Sequence, residues 1–486
     1  MTERTDTSRG PYLRSLAGRT HPVLDSCTPW WRTWRAGANL NRLMLESRFS
    51  KFTLMRSPTT RRSFLRETGL LAASAFAAPM ILPSRVFGAN DRISIGSIGV
   101  KNQGTNNLKA FLNAGVDIVA LCDVDSQVAA TAAELVSKRG PKPMVFGDYS
   151  ELLDQKGVDA VVVTVPDHWH ALMTIHACQA GKDVYCEKPL SLTIAEGRRM
   201  VTAARENQRI VQTGSQQRSS PEFWRACMLV RNGFIGDIQE VHVGIPGPNH
   251  PGSLGPDTAP PAELNYDLWL GPAALKTYNK RRVHYNFRFW WDYSGGQMTN
   301  FGAHHLDIAQ WGLGMDDSGP VAVEGLATFH PQKVHEVTET CRLTYTYANG
   351  VKVTCGQEQP DIKEGALFIG SKGQVYVNRG QLQTTPEELL QEPLDTTGLN
   401  QLYKSLDHTR NFLDCLASRQ LPICDVEIGH RSATVCHLGN LVARLGRGVK
   451  WDPATEKIVG DEEAQAMADR AYRAPYTHDM KFVAKR

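Results

Sequence analysis

The sequence predicts a doubly wound parallel α/β domain followed by an α+β domain with a large, mostly antiparallel sheet. Strand-like and helix-like runs alternate from residue 93 to residue 214, the order that builds a parallel sheet covered by helices on both faces. One of these runs, VDAVVVTVPD (158–167), is almost continuously apolar, as expected of a parallel strand buried on both faces. Beyond residue 214, β-rich runs are separated by Asn-Gly and Lys-Gly turns, which are typical of antiparallel hairpins.

The first domain is predicted over residues 90–214. Its first strand is ISIGSIGV (93–100), and its first helix is NNLKAFLNAG (106–115), which ends at a glycine. The alternation continues with VDIVALCDVD (116–125), QVAATAAELVSKRG (127–140), VDAVVVTVPD (158–167), HALMTIHACQAGK (170–182), DVYCEKPL (183–190), IAEGRRMVTAARENQ (194–208) and RIVQTG (209–214).

The second domain is predicted over residues 215–425 as an α+β domain for substrate binding and oligomerisation. It opens with the helical run PEFWRACMLVRNG and the strand IQEVHVGI, followed by a Pro/Gly-rich loop (246–262). The runs ETCRLTYTYANGVKVTCGQ and GALFIGSKGQVYVN predict further antiparallel strands. Helical patterning returns from about residue 402, and residues 426–486 are predicted to form a helical segment and tail that pack back on the core.

Residues 55–89 have the composition of an export signal. The stretch TTRRSFLRETG is basic, and the apolar run after it is shorter than the roughly 20 residues of a membrane span. The pattern S/T-R-R-x-F-L-R resembles a twin-arginine (Tat) signal, so we expect Tat export of a cytoplasmic precursor to the periplasm without a membrane anchor. A buried helix or a retained anchor is the alternative. Because signal peptides rarely follow a long prefix, we expect Met55 to be the true start and residues 1–54 to be a non-native extension.

Charge and cysteine content exclude several classes of function. Residues 1–89 hold 14 Lys and Arg against 5 Asp and Glu, whereas the rest of the chain holds 40 against 45. The positive charge therefore belongs to the leader, and we expect no nucleic-acid partner. Nine of the ten cysteines follow the leader without any C-x-x-C pair, which suggests neither a disulfide framework nor a zinc site.

A dinucleotide-binding fingerprint follows the first strand. Gly99 and Gly104 match the first and third glycines of G-x-G-x-x-G, but Lys101 replaces the second. Lys101 either turns outward or offers its charge to phosphate groups. Asp123, at the end of the second strand, suits the two ribose hydroxyls of NAD and would repel the 2′-phosphate of NADP, with Asp125 as the alternative carboxylate. We therefore expect NAD, with NADP as a second possibility.

Two further motifs carry a family resemblance. VYCEKPLSLT contains Glu187, Lys188 and Pro189 at the end of a parallel strand, and GGQMTNFGAHHLDIAQW follows in the second domain. Together with TVPDHWHA they resemble the glucose–fructose oxidoreductase / inositol dehydrogenase / rhizopine catabolism (Gfo/Idh/MocA) family. The resemblance extends from residue 91 to the end, and YDLWLGPA and GHRSATVCHLGNLVARLGRGVKWDP look like the exported bacterial branch.

The resemblance implies roles for residues of these motifs. Lys188 would lie beside the nicotinamide and the substrate hydroxyl as an orienting and electrostatic group, and His304 would be the general base. The family's aspartate falls on Asn300, which can hydrogen-bond a hydroxyl or His304 but cannot stabilise an imidazolium by charge. His305 is an expected substrate contact, with a core position as the alternative. Asp307 either pairs locally or touches substrate.

The remaining candidates lie on both sides of the expected crevice. Pro166, His170 and Glu187 are expected on the cofactor side. Trp290 and Asp292, in FRFWWDYSGG, would form a sugar-stacking wall with a polar anchor, with plain core packing as the alternative for the tryptophan.

Together these features predict an exported NAD(P)-dependent oxidoreductase of a sugar, polyol or glycoside hydroxyl. Because the periplasm has no replenished pool of nicotinamide cofactor, we expect a tightly held nucleotide. The alternatives are a redox-neutral, NAD-dependent glycoside hydrolase and an inactive binding protein on the same scaffold. By resemblance, a homodimer or homotetramer is expected.

Overall fold

The computed structural model describes residues 92–250, 252–391 and 397–484. The expected upstream extension, the export signal and the Met55 start lie outside the described residues. Among the helices in these ranges, none has both the length and the apolar character that crossing a lipid bilayer requires.

The N-terminal part is a six-stranded parallel sheet with the strand order β3-β2-β1-β4-β5-β6. The order reverses between β1 and β4, which is the doubly wound topology that the sequence predicted. Its elements are β1 (Ser94–Ile98), α1 (Gln103–Asn113), β2 (Asp117–Cys122), α2 (Ser126–Ser137), β3 (Met144–Phe146), α3 (Tyr149–Leu153), β4 (Ala160–Val163), α4 (Asp167–Gln179), β5 (Asp183–Cys186), α5 (Ile194–Glu206) and β6 (Val211–Thr213).

The second part contains a nine-stranded sheet with the order β13-β12-β11-β7-β10-β9-β8-β14-β15, in which β7 and β10 pair in parallel and the other neighbours are antiparallel. The predicted fold class, a parallel α/β sheet followed by a large, mostly antiparallel sheet with helices, is thereby confirmed. The elements are α6 (Pro221–Arg231), β7 (Ile238–Ile245), α7 (Tyr266–Leu270), α8 (Gly296–Asn300), α9 (Gly302–Leu313), β8 (Ala322–Phe329), β9 (Thr338–Thr346), β10 (Lys352–Gln357), β11 (Gly365–Gly370), β12 (Gly373–Asn378), β13 (Gln381–Thr385), α10 (His408–Ser418), α11 (Val426–Leu445), β14 (Val449–Asp452), β15 (Lys457–Ile458) and α12 (Glu462–Ala466).

One face of the nine-stranded sheet is covered by α6, α9 and α11, whose apolar side chains share a core with β7, β9 and β10. Beneath these helices, the guanidinium of Arg218 donates to both carboxylate oxygens of Asp307 and also to Asp316. Arg218 and Asp307 are almost completely buried, so each neutralises a charge that the core could not otherwise hold. Asp307 is therefore the charge partner of Arg218, a residue 89 positions away in the sequence.

Residues in the C-terminal third of the chain pack against elements of the first domain. Phe412 of α10 packs edge-on against Phe111 and Tyr185, with ring centroids 6.1 and 5.8 Å away. Farther along, Tyr476 packs on Trp169 at 5.4 Å. The helix α10, which the sequence assigned to the second domain, thus lies on the first. Its periodicity predicts an apolar face but does not say which sheet that face meets.

Candidate functional site

The first βα turn is closed by two glycines. Gly99 adopts a φ of +78°, and a Cβ atom there would lie 2.3 Å from the carbonyl oxygen of Thr164. A Cβ atom on Gly104 would lie 2.1 Å from the carbonyl oxygen of Gly99. Any larger residue would collide with backbone at either position, so both glycines are required for the tight turn between β1 and α1.

The N-terminus of α1 has no side-chain cap. Asp125, Asp148 and Thr193 cap α2, α3 and α5, but Asn102 makes no such bond, and the first turn of α1 contains no acidic residue. Unpaired N–H groups at a helix N-terminus attract anions such as a pyrophosphate. Lys101 is exposed in the turn, with its Nζ 3.9 Å from Oδ2 of Asp125, so it adds positive charge nearby.

Asp123 lies at the end of β2, beside the glycine turn. Its Oδ2 accepts the N–H of Val100 at 2.9 Å, and its Oδ1 accepts the N–H of Asp125 at 3.0 Å. Burial raises the pKa of Asp123, although these backbone bonds act in the opposite direction. Each carboxylate oxygen keeps a lone pair for a further donor. Asp125, the alternative ribose ligand, instead uses its Oδ1 to cap α2.

The buried carboxylate of Glu187 is hydrogen-bonded to several elements of the first domain. Its Oε1 accepts from the side-chain amides of Asn107, Gln103 and Gln216 at 3.1, 3.4 and 3.3 Å, and its Oε2 lies 3.3 Å from the N–H of Lys188. The residue is 4% exposed. The carboxylate thus joins α1 to the ends of β5 and β6, and the sequence did not single out its three amide partners.

His170, in the first turn of α4, joins two strand ends. Its Nε2 lies 2.9 Å from the carbonyl oxygen of Val165, and its Nδ1 lies 2.8 Å from that of Pro189. Because carbonyl oxygens only accept, both ring nitrogens carry a proton. Burial opposes this charge, but Cys186, Asp167 and the carbonyl of Pro189 outweigh it and raise the pKa of His170 to about 10.

Neighbouring residues fix the same crevice. Pro166 occupies the N-cap position of α4, directly before the helix that carries His170. His168 is fully buried, and its Nε2 lies 3.0 Å from the carbonyl oxygen of Trp269 in the second domain. Burial lowers the pKa of His168 to about 3, so its ring is neutral and acts as a donor across the two domains.

The side chain of Lys188 reaches the end of α8. Its Nζ lies 2.8 Å from Oδ1 and 3.0 Å from the backbone oxygen of Asn300. Nδ2 of Asn300 donates to Oε1 of Gln297 at 3.0 Å, which leaves Oδ1 facing the lysine. Burial is the largest influence on Lys188 and lowers its pKa to about 8, although the charge of Glu187 opposes the change. Asn300 therefore supplies two acceptors without a negative charge.

His304 is the third residue of α9 and is 5% exposed. Burial, together with the positive charges of Lys188 and Arg379, lowers the pKa of His304 well below 6.5. The ring is therefore neutral at pH 7. Its Nδ1 is buried and has no hydrogen-bond partner within the described residues.

Two arginines near Lys188 were not expected from the sequence. Arg288 and Arg379 each lower the pKa of Lys188 by charge repulsion. Arg379 lies in the turn between β12 and β13, with its guanidinium carbon 5.5 Å from the ring centroid of Phe301, the residue before α9. No sequence motif predicts that this turn lies near Lys188, because the proximity arises only from the folding of a hairpin in the second sheet.

Three expected substrate contacts have partners of their own. Nδ1 of His305 lies 2.8 Å from the carbonyl oxygen of Gly244, in the core between α9 and β7, and burial lowers the pKa of His305 to about 4. Trp290 is 6% exposed and donates to a backbone carbonyl, which favours the packing alternative. Asp292 forms an ion pair of 2.6 Å with Lys276. Their substrate roles remain predictions.

These features fit a dinucleotide cofactor. The turn at Gly99 and Gly104 admits no side chain, the N-terminus of α1 is open to a pyrophosphate, and Asp123 has lone pairs for ribose hydroxyls. Lys188 follows β5 at the carboxyl edge of the parallel sheet, where ligands of such folds gather, and its charge acts on His304, the residue that the sequence predicted to act with it.

Comparison with protein families agrees with this geometry. The model described as "Oxidoreductase family, NAD-binding Rossmann fold" (GFO_IDH_MocA) matches residues 93–215, and "Oxidoreductase family, C-terminal alpha/beta domain" (GFO_IDH_MocA_C2) matches residues 253–478. The N-terminal part is thus an NAD-binding domain of the Rossmann type.

Curated relatives match part of the chain. It is 30% identical over 200 residues to a glycosyl hydrolase family 109 protein of Shewanella pealeana, covering 37% of this chain and 44% of the relative. It is 31% identical over 153 residues to the inositol 2-dehydrogenase of Salmonella typhimurium, covering 31% of this chain and 45% of the relative. The chain spans about half the length of the curated relatives it matches.

Solved structures share the fold. The WlbA dehydrogenase from Bordetella pertussis, in complex with NADH and UDP-GlcNAcA, superposes with a TM-score of 0.54 at 20% identity, over 74% of this chain and 99% of that chain. The aldose-aldose oxidoreductase from Caulobacter crescentus, complexed with glycerol, gives 0.55 at 19% identity over the same shares.

Proposed function

Because the chain belongs to the Gfo/Idh/MocA oxidoreductase family, we propose that it is an NAD-dependent enzyme that oxidises a hydroxyl group of a sugar, polyol or glycoside. The observation that carries the proposal is the pair of contacts from Nζ of Lys188 to Asn300, together with the effect of the lysine charge on the pKa of His304. A lysine whose pKa lies near 8 can change its charge at working pH, as a proton-transfer group must.

Lys188 is oriented to exchange a proton with a substrate hydroxyl. Both oxygens of Asn300 can only accept, so each takes one N–H of the lysine. The remaining position on Nζ holds a third proton below a pH of about 8 and a lone pair above it. In the amine form, Lys188 accepts the hydroxyl proton, and in the ammonium form it returns the proton in the reverse direction.

His304 assists as a neutral hydrogen-bonding group. The sequence assigned the base to His304, but its strongly lowered pKa makes it a weaker proton acceptor than Lys188. A general base works best when its pKa lies near the operating pH. We therefore assign proton transfer to Lys188 and orientation of the hydroxyl to the neutral imidazole of His304.

The cofactor would be held by the first βα turn. Gly99 and Gly104 keep the turn tight, the uncapped N-terminus of α1 would hold the pyrophosphate, and Asp123 would bind the ribose hydroxyls. Bound NAD supplies the hydride acceptor for the alcohol carbon. His170 positions the crevice by holding the Val165 and Pro189 carbonyls in place.

The first experiment concerns turnover. Lys188→Ala should lower the catalytic rate at least about a hundredfold, and His304→Asn should lower it less, because only the lysine transfers the proton. Lys352→Ala removes an exposed lysine from β10 and is the matched control. Full activity of the Lys188 variant on a substrate that the unmodified enzyme oxidises would contradict the assignment.

Export and a tightly bound nucleotide belong to the same proposal. The twin-arginine pattern at Arg61 and Arg62 supports folding around NAD in the cytoplasm before transfer to the periplasm. Protein purified from a Tat-competent periplasm without added cofactor should release about one NAD per chain on denaturation, measured by mass spectrometry. An empty protein that binds NAD weakly would favour a freely exchanging dehydrogenase, and no binding at all would favour an inactive scaffold.

A second function is supported by the glycosyl hydrolase relative. In a redox-neutral cycle, a sugar hydroxyl would be oxidised, the carbon made acidic by the new carbonyl would lose a proton, and the aglycone would leave from the next carbon. Water would then add across the resulting double bond, and the hydride would return to the carbonyl carbon. Lys188 could serve both directions of this cycle. Product analysis separates the two functions: an oxidised sugar with reduced cofactor indicates the dehydrogenase, and a released aglycone with unchanged cofactor indicates the hydrolase.

A further inference from the structure

Three histidines and a glutamate meet at one end of the nine-stranded sheet. His250 follows β7, His330 follows β8, and His335 and Glu339 lie just before and within β9. In the sheet, β10 lies between β7 and β9, and the end of β7 is level with the start of β9 because Gln357 pairs with both strands there. Groups up to 89 positions apart in the sequence are thereby brought together.

We propose that His250, His335 and Glu339 form a binding site for a divalent transition-metal ion of the zinc type. Oε1 of Glu339 lies 2.8 Å from Nε2 of His335 and 3.5 Å from Nε2 of His250. One donor atom from each residue lies within 4.8 Å of the other two. Donors bonded to a tetrahedral zinc ion at about 2.0–2.1 Å lie about 3.3 Å apart, so only small movements are needed.

The chemistry of the donors favours zinc over calcium or magnesium. Two imidazoles and one carboxylate are a recurrent zinc set that leaves a further position open, whereas hard cations take oxygen ligands. His330 is the neighbour best placed to approach that position, with its ring centroid 5.5 Å from that of His250 and 5.6 Å from that of His335.

Burial and charge prepare the site for a cation. The side chain of His335 is 1% exposed, and its Nε2 already lies beside Oε1 of Glu339, the second proposed ligand. Metal binding at Nε2 of His335 moves the ring proton to Nδ1, which is buried with no hydrogen-bond partner among the described residues. Metal binding at Nε2 of His250 moves the ring proton to Nδ1, so the 3.2 Å contact from the N–H of Gly252 opens.

A metal here would fix the loop that leads to the candidate active site. Gln297, which orients Asn300, donates to the carbonyl oxygen of Gly247 at 2.9 Å. His250 lies only three residues beyond Gly247, so metal binding anchors the far end of the same short segment. The site is therefore a positioning device, and metal binding itself does not depend on the proposed reaction.

The test uses the whole purified chain and Zn²⁺ alone. After removal of metal with a chelator, Zn²⁺ is titrated in competition with a chromophoric chelator, and the melting temperature is followed in parallel. We expect one tightly bound ion per chain and a rise in melting temperature. Glu339→Gln keeps the side-chain volume and should weaken binding more than about tenfold, as should His335→Ala.

His242→Ala is the matched control, because His242 forms a 3.1 Å pair with Glu240 on the same sheet but belongs to no metal-like cluster in the described ranges. Its affinity for Zn²⁺ should equal that of the unmodified chain. Circular dichroism confirms that each variant is folded. The proposal is overturned if the unmodified chain binds no Zn²⁺, or if folded Glu339→Gln binds it equally tightly, since the ion would then be held elsewhere.

Discussion

Asn300 influences the protonation state of Lys188. It stands where the family pattern has an aspartate, and its two oxygens hold Nζ without adding negative charge. Burial disfavours the charged form of Lys188, and Asn300 offers no negative charge to offset this effect. The pKa of Lys188 therefore falls to about 8. A carboxylate at the same distance would stabilise the ammonium form. The departure from the family pattern is thus a means of tuning the proton-transfer group.

Asn300→Asp should therefore raise the pKa of Lys188 from about 8 toward its ordinary value of 10.5. If the amine form accepts the proton, the rising limb of the pH profile of kcat/KM for oxidation should move to higher pH by the same amount. Asn349→Asp, in an exposed turn, is the control for the substitution itself. If the rising limb of the pH profile does not move in Asn300→Asp, the general base is His304 and not Lys188.

His170 links stability to pH. Its pKa is raised to about 10 in the folded protein from about 6.5 in an unfolded chain, so its stabilising charge is fully present below pH 6.5. That contribution is lost as pH rises through 10. The difference in free energy of unfolding between the unmodified chain and His170→Gln should shrink over this range, measured by urea denaturation at several pH values. The titration of Lys188 has the opposite effect on the free energy of unfolding, but it occurs in both proteins and therefore cancels in the difference between them. A difference independent of pH would mean that the ring is neutral.

At the scale of elements, the sequence predicted most of the parallel sheet and missed one strand-helix pair. The alternation of apolar and helical runs marks the other elements of the first domain. β3 has only three residues, with Met144 and Val145 exposed, and α3 has five, so neither has a periodic pattern long enough to read.

The candidate site was predictable to the extent that its residues lie in local motifs. Lys188, Asn300 and His304 come from two short stretches, and the structure brings them together. Arg379 lies on a distant hairpin, and the packing of His305 and Trp290 depends on neighbours that periodicity does not identify. The metal cluster was missed for the same reason, since its ligands come from two connections of the second sheet and from the start of β9.

The first βα turn permits a prediction about a whole element. In Gly104→Ala, the new methyl group would meet the carbonyl oxygen of Gly99 at 2.1 Å, so α1 must shift away from β1. We expect a loss of about 1–3 kcal/mol in the free energy of unfolding and much weaker NAD binding, measured by denaturation and by calorimetry. Gly140→Ala, where a Cβ atom would have no neighbour within 4 Å, is the matched control. Unchanged NAD affinity in Gly104→Ala would show that the cofactor does not use this turn.

At the scale of the whole molecule, the two faces of the nine-stranded sheet differ. Helices cover one face, but the other carries Leu326, which is 78% exposed, opposite the exposed Arg342 on the neighbouring strand. A groove of about 260 Å³ on the second sheet is lined by side chains that include His242 and Tyr376. Exposed apolar side chains beside polar ones are typical of surfaces that bind another protein. This face is the natural place for the predicted self-association.

We therefore expect the folded chain to form a homodimer or homotetramer through this face. Leu326→Asp places a charge where two sheets would meet, and removing two carboxylates from water in a symmetric contact is unfavourable even with Arg342 beside each of them. Light scattering coupled to size-exclusion chromatography should then give a smaller assembly for Leu326→Asp than for the unmodified chain. Val459→Asp, at a site 54% exposed near β15, should leave the assembly unchanged. If Leu326→Asp keeps the original mass, the subunits meet through another surface, and the free face of the sheet has a different role.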